Sequence, residues 1–159
     1  MSSTQAGPKQ LCTFLVDGLN LGIDVTRVQE VIRHQDMTPV PLAPGVVGGL
    51  INLRGQIVTA LDLRRRLGAP ARGEGELPMN VVIRHEEGVV SFLVDEIGDV
   101  LDVDDATFEP PPETLGAASK ALVKGVYKLE EQLLLLLDTE RAMRVNEHGE
   151  DEGSRHGQR

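Results

Sequence analysis

Cysteine is nearly missing from this chain: Cys12 is the single one in 159 residues. One thiol can make neither an internal disulfide nor a thiolate metal cluster. Aromatic residues are almost as scarce, with three Phe, one Tyr and no Trp, so there is no stacking platform for bases. Positive charge is in deficit as well. The formal net charge is −9, and such a surface repels phosphate backbones. Nucleic acid is therefore a poor partner. No apolar run reaches the ~18 residues that argue for a membrane span. No apolar core follows a basic N-terminal region, so no signal peptide is expected. The chain reads as cytoplasmic and soluble.

Reactive arrangements are missing too. His34 and His85 occur singly, and His148 and His156 lie near the C-terminus. There is no H-E-x-x-H, no C-x-x-C and no paired-histidine spacing to hold a metal. Gly45, Gly48 and Gly49 form a glycine patch, but a strand follows it and no G-K-[ST] is present. A phosphate loop needs a helix N-terminus there. Asp95, Asp99, Asp102, Asp104 and Asp105 crowd together without the central Gly and terminal Glu of a calcium loop, and read as a solvated acidic face. Cys12 falls in a strand, where a small buried apolar residue is expected rather than a nucleophile. No catalytic residue, metal or cofactor is expected.

What is present is organised around Val46 to Leu67, VVGGLINLRGQIVTALDLRRRL. Apolar residues on either side of Arg54–Gly55 predict two strands joined by a tight turn, since Gly supplies the positive φ that such turns need. Asp62 then opens a short helix as its N-cap. Arg64, Arg65 and Arg66 close that helix, where positive charge suits the C-terminal end of the dipole. Arg54 sits at the hairpin tip, held by rigid strands. That placement suits contact with a partner, although a solvated turn arginine gives the same pattern.

The stretch recurs. At an offset of 76 residues Gly49 falls on Gly125, Leu53 on Leu129, Gln56 on Gln132, Asp62 on Asp138 and Arg65 on Arg141. At an offset of 69, Ile23, Val25, Val28, Val31 and Ile32 fall on Phe92, Val94, Ile97, Val100 and Leu101, and Glu30 falls on Asp99. The longer connection of the second copy lies between Leu101 and Leu122. A repeat of this length fits a duplicated small subdomain better than a solenoid unit. The expected organisation is one domain over residues 11–143, with a first half at about 11–67 and a second at about 79–143. Residues 1–10 are expected as a loose arm and 146–159 as a disordered polar tail.

In chain order, strands are expected at Leu11–Val16 and Leu19–Val25 around the Asp17–Gly18 turn. Either a helical turn or an irregular strand suits Val25–Ile32, with Arg27 and Glu30 pointing away from its apolar side. Pro39, Pro41 and Pro44 make Met37–Gly45 a stiff extended connector, which could hold a binding surface or simply link two strands. Gly68–Pro78 reads as a loop. Strands follow at Met79–Arg84 and Val89–Asp95, with a turn at Glu86–Gly88. Phe108–Glu113 reads as a second extended connector. A second hairpin spans Leu122–Leu129 and Leu133–Leu137, its five-leucine strand covered on both faces. Asp138 caps a last helix over Thr139–Val145. A mostly β chain with a duplicated core and no reactive site points to contact as its work.

Four blocks in order, GIDVTRVQEVIR, TPVPLAPGVVGGLINLRGQIVTALDLRRRLG, FLVDEIGDVLDV and VKGVYKLEEQLLLLLDTERAM, resemble the CheW family of chemotaxis coupling proteins from about Leu11 to Met143. The resemblance implies a mainly β fold of two interlocked five-stranded SH3-like barrels with short helices. It also implies a non-enzymatic adaptor. This adaptor joins the histidine kinase CheA, through its regulatory domain, to the cytoplasmic tips of methyl-accepting chemotaxis receptors. The receptor tip would dock in the groove between barrels, within arrays at the inner face of the membrane. A scaffold in a chemosensory pathway with pili or another output is the alternative. Carried over by position, the receptor-binding residues would be Val28, Glu30, Gly49, Arg54, Val81, Val100 and Gly125. Val25 and Val28 would face the kinase. Two positions depart from the family's habit. Thr59–Ala60 stands where a proline is frequent, and Tyr127 replaces a small residue in a way expected to narrow the groove.

Overall fold

The computed structural model describes residues 9–86 and 88–144. The expected tail 146–159, most of the expected arm, and residues 87 and 145 lie outside them. Among the described residues eleven strands form two sheets. β1 (Lys9–Val16) and β2 (Leu19–Asp24) turn at Asp17–Gly18, where both residues have positive φ, 51° and 79°. β3 (Val28–Ile32), β4 (Val47–Leu53), β5 (Gln56–Asp62) and the helix α1 (Leu63–Arg66) complete the first copy. β6 (Met79–His85), β7 (Gly88–Val94), β8 (Glu96–Val103) and the two-residue β9 (Phe108–Glu109) come next. The helix α2 (Ala117–Leu122), β10 (Val123–Lys128), β11 (Leu133–Leu137) and the helix α3 (Thr139–Met143) end the fold.

The strand orders are β3-β6-β7-β5-β4 and β8-β1-β2-β11-β10-β9. Each sheet takes strands from both halves of the chain, so the barrels interlock: β1 and β2 leave the first half for the second barrel, and β6 and β7 do the reverse. The repeat read from the sequence becomes a pseudo-twofold. Cys12 pairs with Val100 as Val31 pairs with Val81, and Phe14 pairs with Ile97 as Val28 pairs with Ile83. The parallel pairings match as well, Thr59 with Val90 and Leu135 with Leu21. Even bulges recur, at Val47/Gly49 and Val123/Gly125.

Packing follows the same plan. Ile51, Leu53, Val58, Ala60, Val82 and Leu93 fill the first barrel. Leu11, Val103, Tyr127 and Leu134 fill the second. A larger third cluster lies between them, with Phe14, Ile23, Leu61, Val81, Phe92, Val126 and Leu135 all buried. At ~1.5–3 kcal/mol for each large apolar side chain buried, this shared cluster fixes the two barrels against each other.

Several sequence expectations need correction. Lys9 and Gln10 are strand rather than arm, because they pair with Val103 and Asp102 of β8 and Gln10 donates to the Asp102 carboxylate at 3.2 Å. Val25 is not in β2: Asp24 accepts from the Thr26 amide at 3.0 Å and turns the chain into a 3₁₀ turn, Val25–Arg27, before β3. Both open readings of that segment are realised in succession. Leu122 ends α2, a helix hidden in the sequence by the prolines before it, so β10 starts at Val123. Gly88 opens β7 instead of closing a turn, since it pairs with His85. Leu133 is partly exposed, so β11 is not wholly covered.

The arginines after Asp62 do more than end a helix. Asp62 caps α1 as expected, accepting from the Arg64 amide at 3.0 Å. Arg64 reaches Asp95 at 2.9 Å, and Arg72 reaches Asp62 at 3.0 Å and Asp95 at 3.2 Å. Arg66 donates to the Ala142 and Arg144 carbonyls and ties α1 to the end of α3. Asp99, Asp102, Asp104 and Asp105 are exposed as expected, and only Asp95 leaves the solvated acidic face. Asp95 is mostly buried among guanidinium groups, Asp104 caps a 3₁₀ turn, and Asp105 accepts from Tyr127.

Candidate interaction site

The first barrel closes at the β4–β5 tip. Arg54 and Gly55 form a two-residue turn with φ of 53° and 91°, and the Asn52 side chain accepts from the Gly55 amide at 2.8 Å. Positive φ at both central residues matches the right-handed twist of the strands. The turn aims Arg54 across the barrel at β3, where its guanidinium pairs with Glu30. The arginine side chain is 66% exposed and the glutamate 23%. The Arg54 hydrogen bond outweighs the slight desolvation of Glu30. With the Gln29 amide and the guanidinium charge it holds the Glu30 carboxyl below the usual carboxylate range. An ion pair so open to water adds little to folding. It does fix two opposite charges at a defined place on a stiff edge.

Other expected residues divide into two groups. Val28 opens β3, half-buried against the shared core, with Val25 half-buried just before it in the 3₁₀ turn. Val100 lies on β8, an edge strand of the second sheet, and is exposed. These residues, with Glu30 and Arg54, are accessible. Val81, Gly49 and Gly125 are buried. Val81 is fully enclosed in the shared core, paired with Val31 on one side and Phe92 on the other. A Cβ on Gly49 would lie 2.9 Å from the Thr38 carbonyl, and one on Gly125 would lie 2.5 Å from the Glu109 carbonyl. At both places the chain crosses the edge of a barrel: Thr38 bridges Leu50, and Glu109 pairs with Val126. These glycines permit a backbone crossing, so they shape the surface from beneath.

The two departures also find a place. Tyr127 does not narrow a groove, because it is buried, its ring 4.9 Å from that of Phe108 and its hydroxyl donating to Asp105 at 2.9 Å. Burial, then the Asp105 bond and charge, push its pKa up. Thr59 and Ala60 lie in the middle of β5, which is paired to β4 on one side and β7 on the other. A proline there would take a donor out of the ladder. Cys12 is buried in the shared core, and burial pushes its thiol pKa up. Missed by sequence reasoning is Leu42, at φ 65° and fully exposed. The Pro41–Leu42 pair is its only sequence signal, and Leu is not a residue expected at positive φ.

Two small barrels locked by a common core, with an ion-paired tip over an edge strand, define a protein of the twin-barrel scaffold class. A family model described as a CheW-like domain matches residues 10–147, and the chain belongs to that family. It is 30% identical over 132 residues to the chemotaxis protein CheW of Rhizobium meliloti, covering 83% of this chain and 85% of the relative. The chemotaxis protein CheW of Thermotoga maritima is 31% identical over 132 residues, with the same coverage of each. The crystal structure of the scaffolding protein TtCheW from Thermoanaerobacter tengcongensis superposes with a TM-score of 0.77 at 28% identity, covering 87% of this chain and 94% of that one.

Proposed function

We propose that this protein is a non-enzymatic coupling adaptor, holding the histidine kinase CheA to methyl-accepting chemotaxis receptors at the inner face of the membrane. The Arg54–Glu30 pair on a rigid tip, beside the half-buried Val25 and Val28 at the start of β3, is the observation that carries the reading. Val28, Glu30, Arg54 and Val100 contact the receptor's helical tip. Val25 and Val28 meet the kinase regulatory domain. Valines offer an apolar trough for a helix, and the charged pair sets register and partner choice. Gly49, Val81 and Gly125 act indirectly, by keeping the edges of the barrels in place. Family membership over nearly the whole chain supports this assignment.

The test is kinase autophosphorylation with receptor-bearing membranes, with and without this protein. The rate should rise only when all three are present. R54E should remove about 90% of that rise, a loss on the order of 1.4 kcal/mol in coupling, while the far-UV circular dichroism is kept. A rise without the receptor, or no rise at all, contradicts the reading.

A further inference from the structure

A small cavity of about 130 Å³ opens at one end of the second barrel. Lys9 at the start of β1, Asp24 at the end of β2 and Lys124 near the start of β10 line it, with Arg27 from the 3₁₀ turn and Thr139 from α3. Three cations thus share one cavity in a chain of net charge −9. They come from three distant places in the sequence, and the fold brings them together.

None of the three is firmly engaged. Lys9 reaches Asp105 at 3.9 Å and Arg27 reaches Glu140 at 3.7 Å, both pairs well open to water. Such pairs are worth little. Lys124 is exposed and has no hydrogen bond or ion pair among the described residues. Asp24 is the one carboxylate of the wall, and its side chain accepts from the Thr26 amide at 3.0 Å and the Thr26 hydroxyl at 2.8 Å. Burial alone would raise the Asp24 pKa, but those bonds, and then the charges of Lys9 and Arg27, hold it below the usual carboxylate range. The cations therefore lie near enough to act on one group inside the cavity.

The pseudo-twofold shows that the fold does not require this charge. At the offset of 69 residues Lys9, Asp24 and Arg27 fall on Pro78, Leu93 and Glu96, and at the offset of 76 Lys124 falls on Gly48. Gly48, Pro78 and Leu93 do line a cavity at the equivalent end of the first barrel. The arginine that enters there, Arg72, is paired with Asp62 and Asp95. One architecture thus carries uncharged walls and a neutralised arginine in one barrel, and three loosely held cations in the other.

We propose that the second-barrel cavity binds a phosphate monoester group, free on a small solute or at a lipid headgroup. The group carries close to two negative charges at neutral pH and three acceptor oxygens. It can therefore meet three donors from three directions, the Arg27 fork and the two ammonium groups. A carboxylate offers one charge and two oxygens, and suits the cavity less well. The small volume admits the charged group and leaves the rest of the ligand outside. This site is independent of the coupling role.

The test uses ¹⁵N-labelled full-length protein titrated with glycerol 3-phosphate at constant ionic strength, and in parallel with acetate. Amide shifts are expected at Lys9, Arg27, Lys124 and Thr139, with acetate at least about tenfold weaker. K124E changes an exposed side chain and should weaken binding at least about tenfold while the spectrum remains that of the folded chain. R27Q should weaken it in the same direction. K128E, farther along the same strand, should leave it unchanged. Sedimentation with phosphatidylcholine vesicles, with and without phosphatidic acid, separates the two sources. Sedimentation that needs phosphatidic acid and is lost in K124E marks a headgroup; solute shifts without sedimentation mark a free phosphate ester. Neither shifts nor Lys124-dependent sedimentation, acetate binding as well as the phosphate ester, or binding that K124E and R27Q leave unchanged would overturn the proposal.

Discussion

Arg54 adopts a positive φ that costs a non-glycine residue ~1–3 kcal/mol, and its exposed ion pair with Glu30 returns little of that to stability. A residue held this way serves geometry. R54E should therefore leave the melting temperature nearly unchanged while weakening partner binding about tenfold. A collapse in stability would make the pair structural. Asp95 is the contrasting case. Burial by itself would raise its carboxyl pKa, but the Arg64 bond, the Asp17 amide at 2.7 Å and the charges of Arg64 and Arg72 hold it below the usual range. Its folded pKa is thus lower than its unfolded value of about 3.9. The stabilisation is present above about pH 4 and lost as pH falls through the folded value. Thermal melts from pH 7 to pH 2 should show this acid loss, and Asp95→Asn should flatten it while lowering stability at pH 7 by about 1–2 kcal/mol. An unchanged acid slope in that variant would remove Asp95 from the account.

At the scale of the element, a crossing backbone decides what each barrel edge can be. Gly125 lies where β9 passes over β10, and an added Cβ would stand 2.4 Å from the Phe108 ring and 2.5 Å from the Glu109 carbonyl. Gly125→Ala should cost about 1–3 kcal/mol by overpacking, measured by urea unfolding. Gly116→Ala, with nothing within 4 Å, should lose only the N-cap preference for glycine over alanine, at most about 1 kcal/mol. Equal costs would mean that β9 does not press on β10. Most elements could be read from the chain because their signals are local: an Asp-Gly or Arg-Gly turn, an alternating run, an Asp cap at 62 and 138. α2 was hidden because Pro110, Pro111 and Pro112 dominate the window before it. The burial of Val81 could not be read either, since it depends on β6 leaving its own half for the first barrel. Asp95 looked solvated because its arginines are 31 and 23 positions away in the chain. The Arg54–Glu30 pair joins residues that the sequence singled out separately, and only the closed barrel shows that they touch.

Over the whole molecule, the repeat gives two barrels of one design and a cluster between them that fixes one against the other. Such a body suits a coupling part: it transmits position between partners and has a shape to keep. Its membership of the CheW-like family and its twin barrels agree on that role. The exchange of strands between halves means that neither half has a complete barrel without the other.

The most direct test of the coupling role is bridging, the amount of kinase that sediments with receptor-bearing vesicles as this protein is added. Bound kinase should climb with the protein, level off when the receptor sites are filled, and need about tenfold more of the Arg54→Glu variant to reach the same level. Kinase that sediments equally well in the absence of this protein, or never sediments in its presence, would contradict the account.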